Sequence, residues 1–315
     1  FVYGKFVERV FGPDDRVTPA VSKTDGVDFM VLPNWKIFMI QFLNIAGTGP
    51  IFGAIMGAKF GVSSYLWIVL GCIFAGATHD YLSGMLSIRH GGASLPEMIG
   101  KYLGVTTKNI MLVFTVLLLV MVGAVFVYSP AEILHSIWGS STMWIIVIFI
   151  YYIIATMLPI DKIIGKIYPL FGAALIIMAI SFFCVLLFGD YTIPELTTFD
   201  NMHFDAEKLP IVPTLFISIA CGAISGFHAT QSPLMARCVT SETQARPVFF
   251  GAMISESIIA LIWAAIAMAF FGGVEGLNNY MEANGSNAGV VVSLISDTTL
   301  GRIGSILAIM GVVIA

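Results

Sequence analysis

Long apolar runs separated by short polar stretches dominate the chain, and their lengths predict helices that cross a bilayer rather than strands of alternating polarity. Seven such runs are predicted, at about residues 35–59, 64–88, 109–128, 142–158, 167–188, 211–235 and 248–271, and an eighth begins near 303. Between the last two, Gly289 to Ile295 is apolar but too short to cross a hydrocarbon core of about 30 Å, so it is expected at the surface or tucked beneath it. Residues 1 to 33 are polar and of mixed charge, punctuated by Pro13, Pro19, Gly26 and Pro33, and read as a loop with a short amphipathic piece from Phe6 to Phe11. The closing run from Ile303 to Ala315 is also too short to span, so the chain reads as a piece of a longer protein.

Two of these runs contain residues that a bilayer-spanning helix avoids. The first holds Asn44-Ile45-Ala46-Gly47-Thr48-Gly49-Pro50-Ile51-Phe52-Gly53, with three glycines and a proline in ten residues. Proline lacks the N–H and clashes with the preceding turn, and glycine is roughly 1 kcal/mol worse than alanine, so the helix is expected to break there. An open backbone at membrane depth survives only where protein or a watered cavity surrounds it, which makes the break a candidate binding site. The sixth run starts after Pro210 and Pro213 and carries Cys221-Gly222-Ala223-Ile224-Ser225-Gly226-Phe227-His228-Ala229-Thr230-Gln231-Ser232-Pro233 in place of leucine and valine. These two broken spans start on opposite sides of the membrane and lie five crossings apart, the pattern of an inverted repeat of five helices with substrate between the breaks. The alternative is that both are small-residue packing faces. The expected fold is therefore an all-α polytopic helical bundle with two discontinuous helices. Its parts would be a cytoplasmic loop at 1–34, a first repeat at 35–188, a periplasmic loop at 189–210 and a truncated second repeat at 211–315.

Composition excludes a soluble domain, because 58% of the 315 residues are hydrophobic and only 11% are charged, against about 25% charged in globular proteins. Basic residues then set the orientation. Lys5, Arg9, Arg16, Lys23, Lys36, Arg89, Lys101, Lys108, Lys162, Lys166, Arg237 and Arg246 fall on one side, and Lys59, Lys208 and Arg302 on the other. That asymmetry puts the N-terminal loop in the cytoplasm. No basic tract points to nucleic acid. No Gly-x-x-x-x-Gly-Lys-Ser/Thr loop is present, so a primary pump would need a separate subunit. Cys72, Cys184, Cys221 and Cys238 form neither a metal spacing nor a disulfide framework and read as small core residues.

An ionisable residue inside a span is a functional hypothesis by default. Four qualify: His79 and Asp80 in the second span, His228 in the sixth and Glu256 in the seventh. At 1.5 Å per residue Asp80 lies about 13.5 Å from Arg89 and Glu256 about 13.5 Å from Pro247, so the two carboxylates sit at similar depth. The sharper reading puts all four around one cytoplasm-leaning cavity, with His79, Asp80 and Glu256 as candidates for proton coupling. The plainer one makes each a structural tie. Asn44, Gly47, Thr48 and Gly49 at the first break, and Ser225, Gly226, His228 and Gln231 at the second, are the candidate substrate and ion ligands. Free N–H groups at half-helix N-termini favour a carboxylate, and freed carbonyls suit a cation, so a small carboxylate or a zwitterion fits. Gln41 and Asn44 either meet substrate or satisfy freed backbone groups. The hydroxyls of Thr48, Ser225, Thr230 and Ser232 can also ligate Na⁺, which leaves the coupling ion open between H⁺ and Na⁺. Glu132 and His135 read as interfacial, and Trp35, Trp138 and Trp144 fall near predicted interfaces.

Several stretches resemble a known family. Thr24-Asp25-Gly26-Val27-Asp28-Phe29, the Ile45-Ala46-Gly47-Thr48-Gly49-Pro50-Ile51 break, Gly76-Ala77-Thr78-His79-Asp80, Ser87-Ile88-Arg89, Gly222-Ala223-Ile224-Ser225-Gly226-Phe227-His228 and the N-terminal Tyr3-Gly4-Lys5-Phe6 are similar, in order, to the carbon starvation protein A family of bacterial inner-membrane transporters. The resemblance implies uptake of peptides or of small carboxylates such as pyruvate when preferred carbon is scarce, driven by protons and without a cofactor. It also implies distant kinship with amino acid, polyamine and organocation carriers of the LeuT type, which agrees with the five-plus-five pattern, and a longer chain with helices on both sides of this one. Two other classes stay open: a membrane nutrient sensor that binds without moving solute, and an intramembrane metalloenzyme. The second lacks a His-Glu-x-x-His or His-x-x-Glu-His spacing. The partners expected are a small-molecule substrate and the lipid bilayer, while oligomeric state is not readable.

Overall fold

A computed structural model describes residues 2–157, 160–220 and 228–314, the side chains of 136, 160–170, 303, 307, 308 and 314 excepted. Every regular element among them is helical. The chain begins with α1 (Val2–Phe11), and after a single turn at Pro19–Ser22 the first apolar run folds as α2 (Asn34–Ile45) and α3 (Thr48–Ala58). Between them Ala46 (φ −92°, ψ 19°) and Gly47 (φ −69°, ψ −146°) leave the helical region, and the two helices are bent by 45°. Pro50 falls in the first turn of α3, where its missing N–H costs little because first-turn donors have no partner inside the helix.

The remaining runs fold where apolar length predicts. They give α4 (Ser63–Arg89), α5 (Leu95–Leu103), α6 (Val105–Ile137), α7 (Ser141–Met157), α8 (Ile160–Phe188), α9 (Ile211–Ala220), α10 (His228–Ala236) and α11 (Glu242–Phe270). A capping box starts α5, with the Glu97 carboxylate accepting from the Ser94 backbone N–H at 2.7 Å. After α11 come α12 (Val274–Ala283) and α13 (Ala288–Ile314). Gly301 (φ 66°, ψ 174°) divides α13, so the short apolar stretch at 289–295 is a separate helical arm, tucked in with Val291, Val292 and Ile295 buried. By length and composition α4, α6, the Phe171–Phe188 part of α8 and α11 can cross a bilayer, and the bent α2–α3 pair, if counted as one span, gives a fifth. The chain is thus an all-α polytopic membrane protein.

Helix α11 is the central post: 67% of its apolar window is buried, against 6% for α6. Trp263 of α11 is fully buried and meets Phe182 of α8 with ring centroids 4.7 Å apart. By contrast α6 and α7 expose Val113, Phe114, Leu117, Phe149 and Ile153, as helices apolar all round do when lipid is their solvent. Around the post two glycines let neighbours close in. A Cβ on Gly84 would lie 2.4 Å from the Phe249 ring, and one on Gly57 would lie 2.5 Å from Ile219.

Charged groups gather at two opposite ends. At one, the buried carboxylate of Glu242 accepts from Arg89 Nε at 3.0 Å and Nη2 at 2.9 Å and from the Asp14 N–H at 3.1 Å, with Arg16 Nε 3.3 Å away. Gly91 and Gly92 take positive φ (69° and 81°), which turns their carbonyls toward Lys23 Nζ at 2.8 Å and Arg237 Nε at 2.9 Å. Helix α1 runs down to this end beside α4, with Tyr3 against Phe74 and Phe11 against Tyr81. At the other end lie Lys59, Lys208 and residues 200–204.

The Gly84–Phe249 contact is where α4 meets the start of α11. Gly84→Ala should lower stability by about 1–3 kcal/mol through overpacking, and adding Phe249→Leu should recover part of the loss. Thermal unfolding of the purified variants in detergent checks this; equal melting temperatures for wild type and Gly84→Ala would refute the close approach.

Candidate functional site

The second span does not stay α-helical along its length. Gly71–Gly76 is wound as a π-helix, and the Thr78 hydroxyl closes the change of winding by donating to the Ile73 carbonyl at 3.2 Å. Such segments displace every later side chain relative to a regular helix and recur at functional sites. Here the displacement comes immediately before His79 and Asp80.

Asp80 is fully buried, and its carboxylate lies between two imidazoles. One oxygen meets His79 Nδ1 at 3.2 Å and the other His228 Nδ1 at 3.1 Å. His228 of α10 is buried as well, whereas the His79 side chain is 40% exposed. Burying a lone charge at this depth costs several kcal/mol, so the Asp80–His228 pair is stable when its two charges cancel, as carboxylate with imidazolium or as acid with neutral imidazole. Those two forms differ only in where one proton sits. Gaining or losing a proton gives the site a net charge.

Other polar groups converge from the bent span. The Gln41 side chain, buried on α2, donates from Nε2 to the Ser232 hydroxyl of α10 at 3.2 Å, and no partner for its Oε1 occurs among the described residues. Cys72, inside the π-wound segment, donates to the Met253 carbonyl of α11 at 3.4 Å and lies within electrostatic range of both Asp80 and Glu256. Glu256 is fully buried one turn further along α11. Thr48 and Gly47 are buried at the bend, Asn44 and Gly49 are half-buried there, and Gln231 is half-buried on α10. Ser225 and Gly226 lie outside the described residues, as does most of the stretch where the sequence predicts a second break. Glu132 takes a hydrogen bond from Ser141 across the α6–α7 turn, and His135 bonds the Gly139 carbonyl at 2.7 Å. Among the described residues no three His, Cys, Asp or Glu side chains converge as a metal-ligand set.

The bent span, the π-wound second span and the buried Asp80–His228 pair define a polytopic membrane protein with an ionisable centre inside its helical bundle. The chain belongs to the family described as carbon starvation protein CstA, which matches over residues 1–137 and 127–304. An uncharacterized membrane protein of Haemophilus influenzae is 43% identical over 90% of this chain and 91% of its own length. The pyruvate/proton symporter BtsT of Escherichia coli is 27% identical over 90% of the chain, and the peptide transporter CstA of Campylobacter jejuni is 29% identical over 91%. The chain spans 50% of the length of each of these two transporters. No solved structure matches. Family and helices together make this a multi-pass protein of the bacterial inner membrane.

If Asp80 and His228 share a proton as one unit, their replacements will not act independently. In a double-mutant cycle of Asp80→Asn and His228→Gln, unfolding in detergent should show a coupling of about 0.5–3 kcal/mol. Additivity within the error of the melt would mean that the 3.1 Å contact carries no energy.

Proposed function

We propose that the chain forms the solute pathway of a secondary active transporter that imports small peptides or small carboxylates such as pyruvate, with proton coupling. The observation that carries this reading is the fully buried Asp80 carboxylate held between His79 and His228 beside a bent span. The names of the relatives supply the solute classes.

The physics of coupling follows from charge balance. In a low-dielectric bundle a protonated Asp80–His228 pair is a net cation, and an arriving carboxylate is a net anion. Each alone is costly to hold, and together they are neutral. Proton and solute therefore stabilise each other's binding, and the loaded site crosses between the two sides with less electrostatic penalty than a half-loaded one. Glu256, buried on the central post, supplies a second titratable group near the same level. The Gln41 carbonyl oxygen and the Ser232 hydroxyl offer an acceptor and a donor for a solute's polar groups.

The alternating-access geometry assigned to this reading is an inverted five-helix repeat. Its support is positional: the bend between Ile45 and Thr48 lies in the first apolar run, and the small and polar residues from Cys221 to Ser232 lie in the sixth, five crossings later by the sequence reading.

Uptake of labelled pyruvate and of a labelled dipeptide into vesicles holding the protein, under an imposed pH gradient, a sodium gradient or neither, tests the assignment. Accumulation of one solute under the proton gradient is the expected result, with Asp80→Asn and Glu256→Gln each shifting the pH dependence of the rate. Accumulation driven by sodium alone would overturn proton coupling, and unchanged pH profiles in both variants would remove the carboxylates from the mechanism.

A further inference from the structure

Among the described residues Lys59 is the one lysine or arginine whose whole residue is buried, at 2% exposure. It closes α3, the outer half of the bent span, whose 11 residues carry it roughly 16 Å outward from the break. Its Nζ donates to the Ser286 hydroxyl at 3.1 Å and stands 4.7 Å from the centre of the Phe204 ring. No carboxylate lies within ion-pair distance of it among the described residues.

That contrasts with the opposite end of the molecule. Where the fold buries a charge there, at Glu242, two arginines surround it. A buried charge with a fixed counter-ion is a tie between elements. One held by a hydroxyl and a ring face keeps most of its attraction for an anion, because both are weak substitutes for the water it has lost. The acidic residues on the segments that contact it do not quench it: Asp205 is engaged by Lys208 at 3.2 Å, and Asp200 and Glu282 are exposed. The neighbouring His203 adds no second charge, since burial and the Lys59 ammonium hold its imidazole below the usual pKa, and its Nδ1 accepts the Asp205 N–H at 3.0 Å.

The cover over Lys59 is held by polar backbone contacts. Met202 N–H donates to the Phe60 carbonyl at 3.1 Å, and Asn278 Nδ2 bonds the carbonyls of Met202 at 2.7 Å and Lys59 at 3.0 Å. His203 packs on Phe60 with centroids 4.8 Å apart. Lifting residues 200–204 would remove Phe204 from the ammonium and open it to the outside.

We propose that Lys59 is an outer recognition point for the carboxylate group of the transported solute, exposed when residues 200–204 lift from α3 and α12. It rests on the transport reading for its role in uptake, but the carboxylate site stands or falls on its own. A monocarboxylate such as pyruvate and the C-terminal carboxylate of a peptide present the same chemistry, and the test separates them.

The test measures acylation of Lys59 by an amine-reactive reagent, followed by mass spectrometry, on the full chain in lipid vesicles. Pyruvate, alanyl-alanine or alanyl-alanine amide is present in separate arms. Protection by pyruvate, by the free dipeptide or by both, with none from the amide, is the expected result and names the source. Equal protection by the amide, no protection by either carboxylate, or a Lys59 that is never modified would each overturn the proposal. Transport gives a second readout: Lys59→Met should raise KM for the carboxylate solute by about 10-fold or more, the scale of a lost charge-assisted hydrogen bond, while Lys59→Arg keeps it near wild type. An unchanged KM in Lys59→Met would count against it. Carboxylate protection without any uptake would leave the Lys59 site standing and sink the transport reading.

Discussion

A carboxylate with no exposure to solvent, placed inside a helical bundle, sets the terms for everything around Asp80. It has to be balanced, and the balance comes from a different span, so α10 must bring His228 within reach of it. Regular winding of α4 would carry Asp80 elsewhere. The π-wound turn from Gly71 to Gly76 brings it there, and Cys72 in that turn bonds the helix that carries Glu256. Close approach of α4 to the start of α11 depends in turn on Gly84 having no side chain. The electrostatic requirement at one residue thus reaches into the winding of one helix and the packing of two others.

The two ends of the molecule handle charge in different ways, and the difference has a functional sense. At the end expected to face the cytoplasm, Glu242 ties α4, the start of α11 and the N-terminal segment with strong bidentate contacts. At the end expected to face outward, Lys59 is buried without a counter-ion among the described residues, under a cover held by backbone amides and an asparagine. Under the proposed uptake of small carboxylates, an electrostatically unsatisfied outer end would attract solute and a satisfied inner end would not retain it.

Apolar length placed the long helices, because a bilayer requires about 20 residues per crossing, but it predicted seven crossings where four helices, or five with the bent pair, are long and apolar enough, and it did not show α5 or α12. The bend at Gly47 was equally legible, since glycine and proline act on the backbone locally. Asp80, His79, His228 and Glu256 stood out as charges in apolar runs, yet nothing in their spacing says that Asp80 meets His228. That depends on how two helices are rotated about their axes, and the π-wound turn changes that rotation without any distinctive residue. Gln41 was noticed only as a residue near the break, and its bond to Ser232 needed the fold. Cys72 read as core filler and Lys59 only as a loop charge, and nothing singled out Glu242, because burial of a charge near a helix end has no signature in a single chain. The residues expected at the second break, Ser225 and Gly226, lie outside the described part.

The central claim is that solute and proton share a charge-balanced site at Asp80. The direct measurement is the proton movement that accompanies solute entry, read from a pH-sensitive dye trapped inside vesicles holding the protein, with no gradient imposed at the start. The account predicts that adding the transported solute acidifies the lumen in wild type and that Asp80→Asn abolishes the acidification. Solute entry with no change in internal pH, or the same acidification in Asp80→Asn, would contradict it.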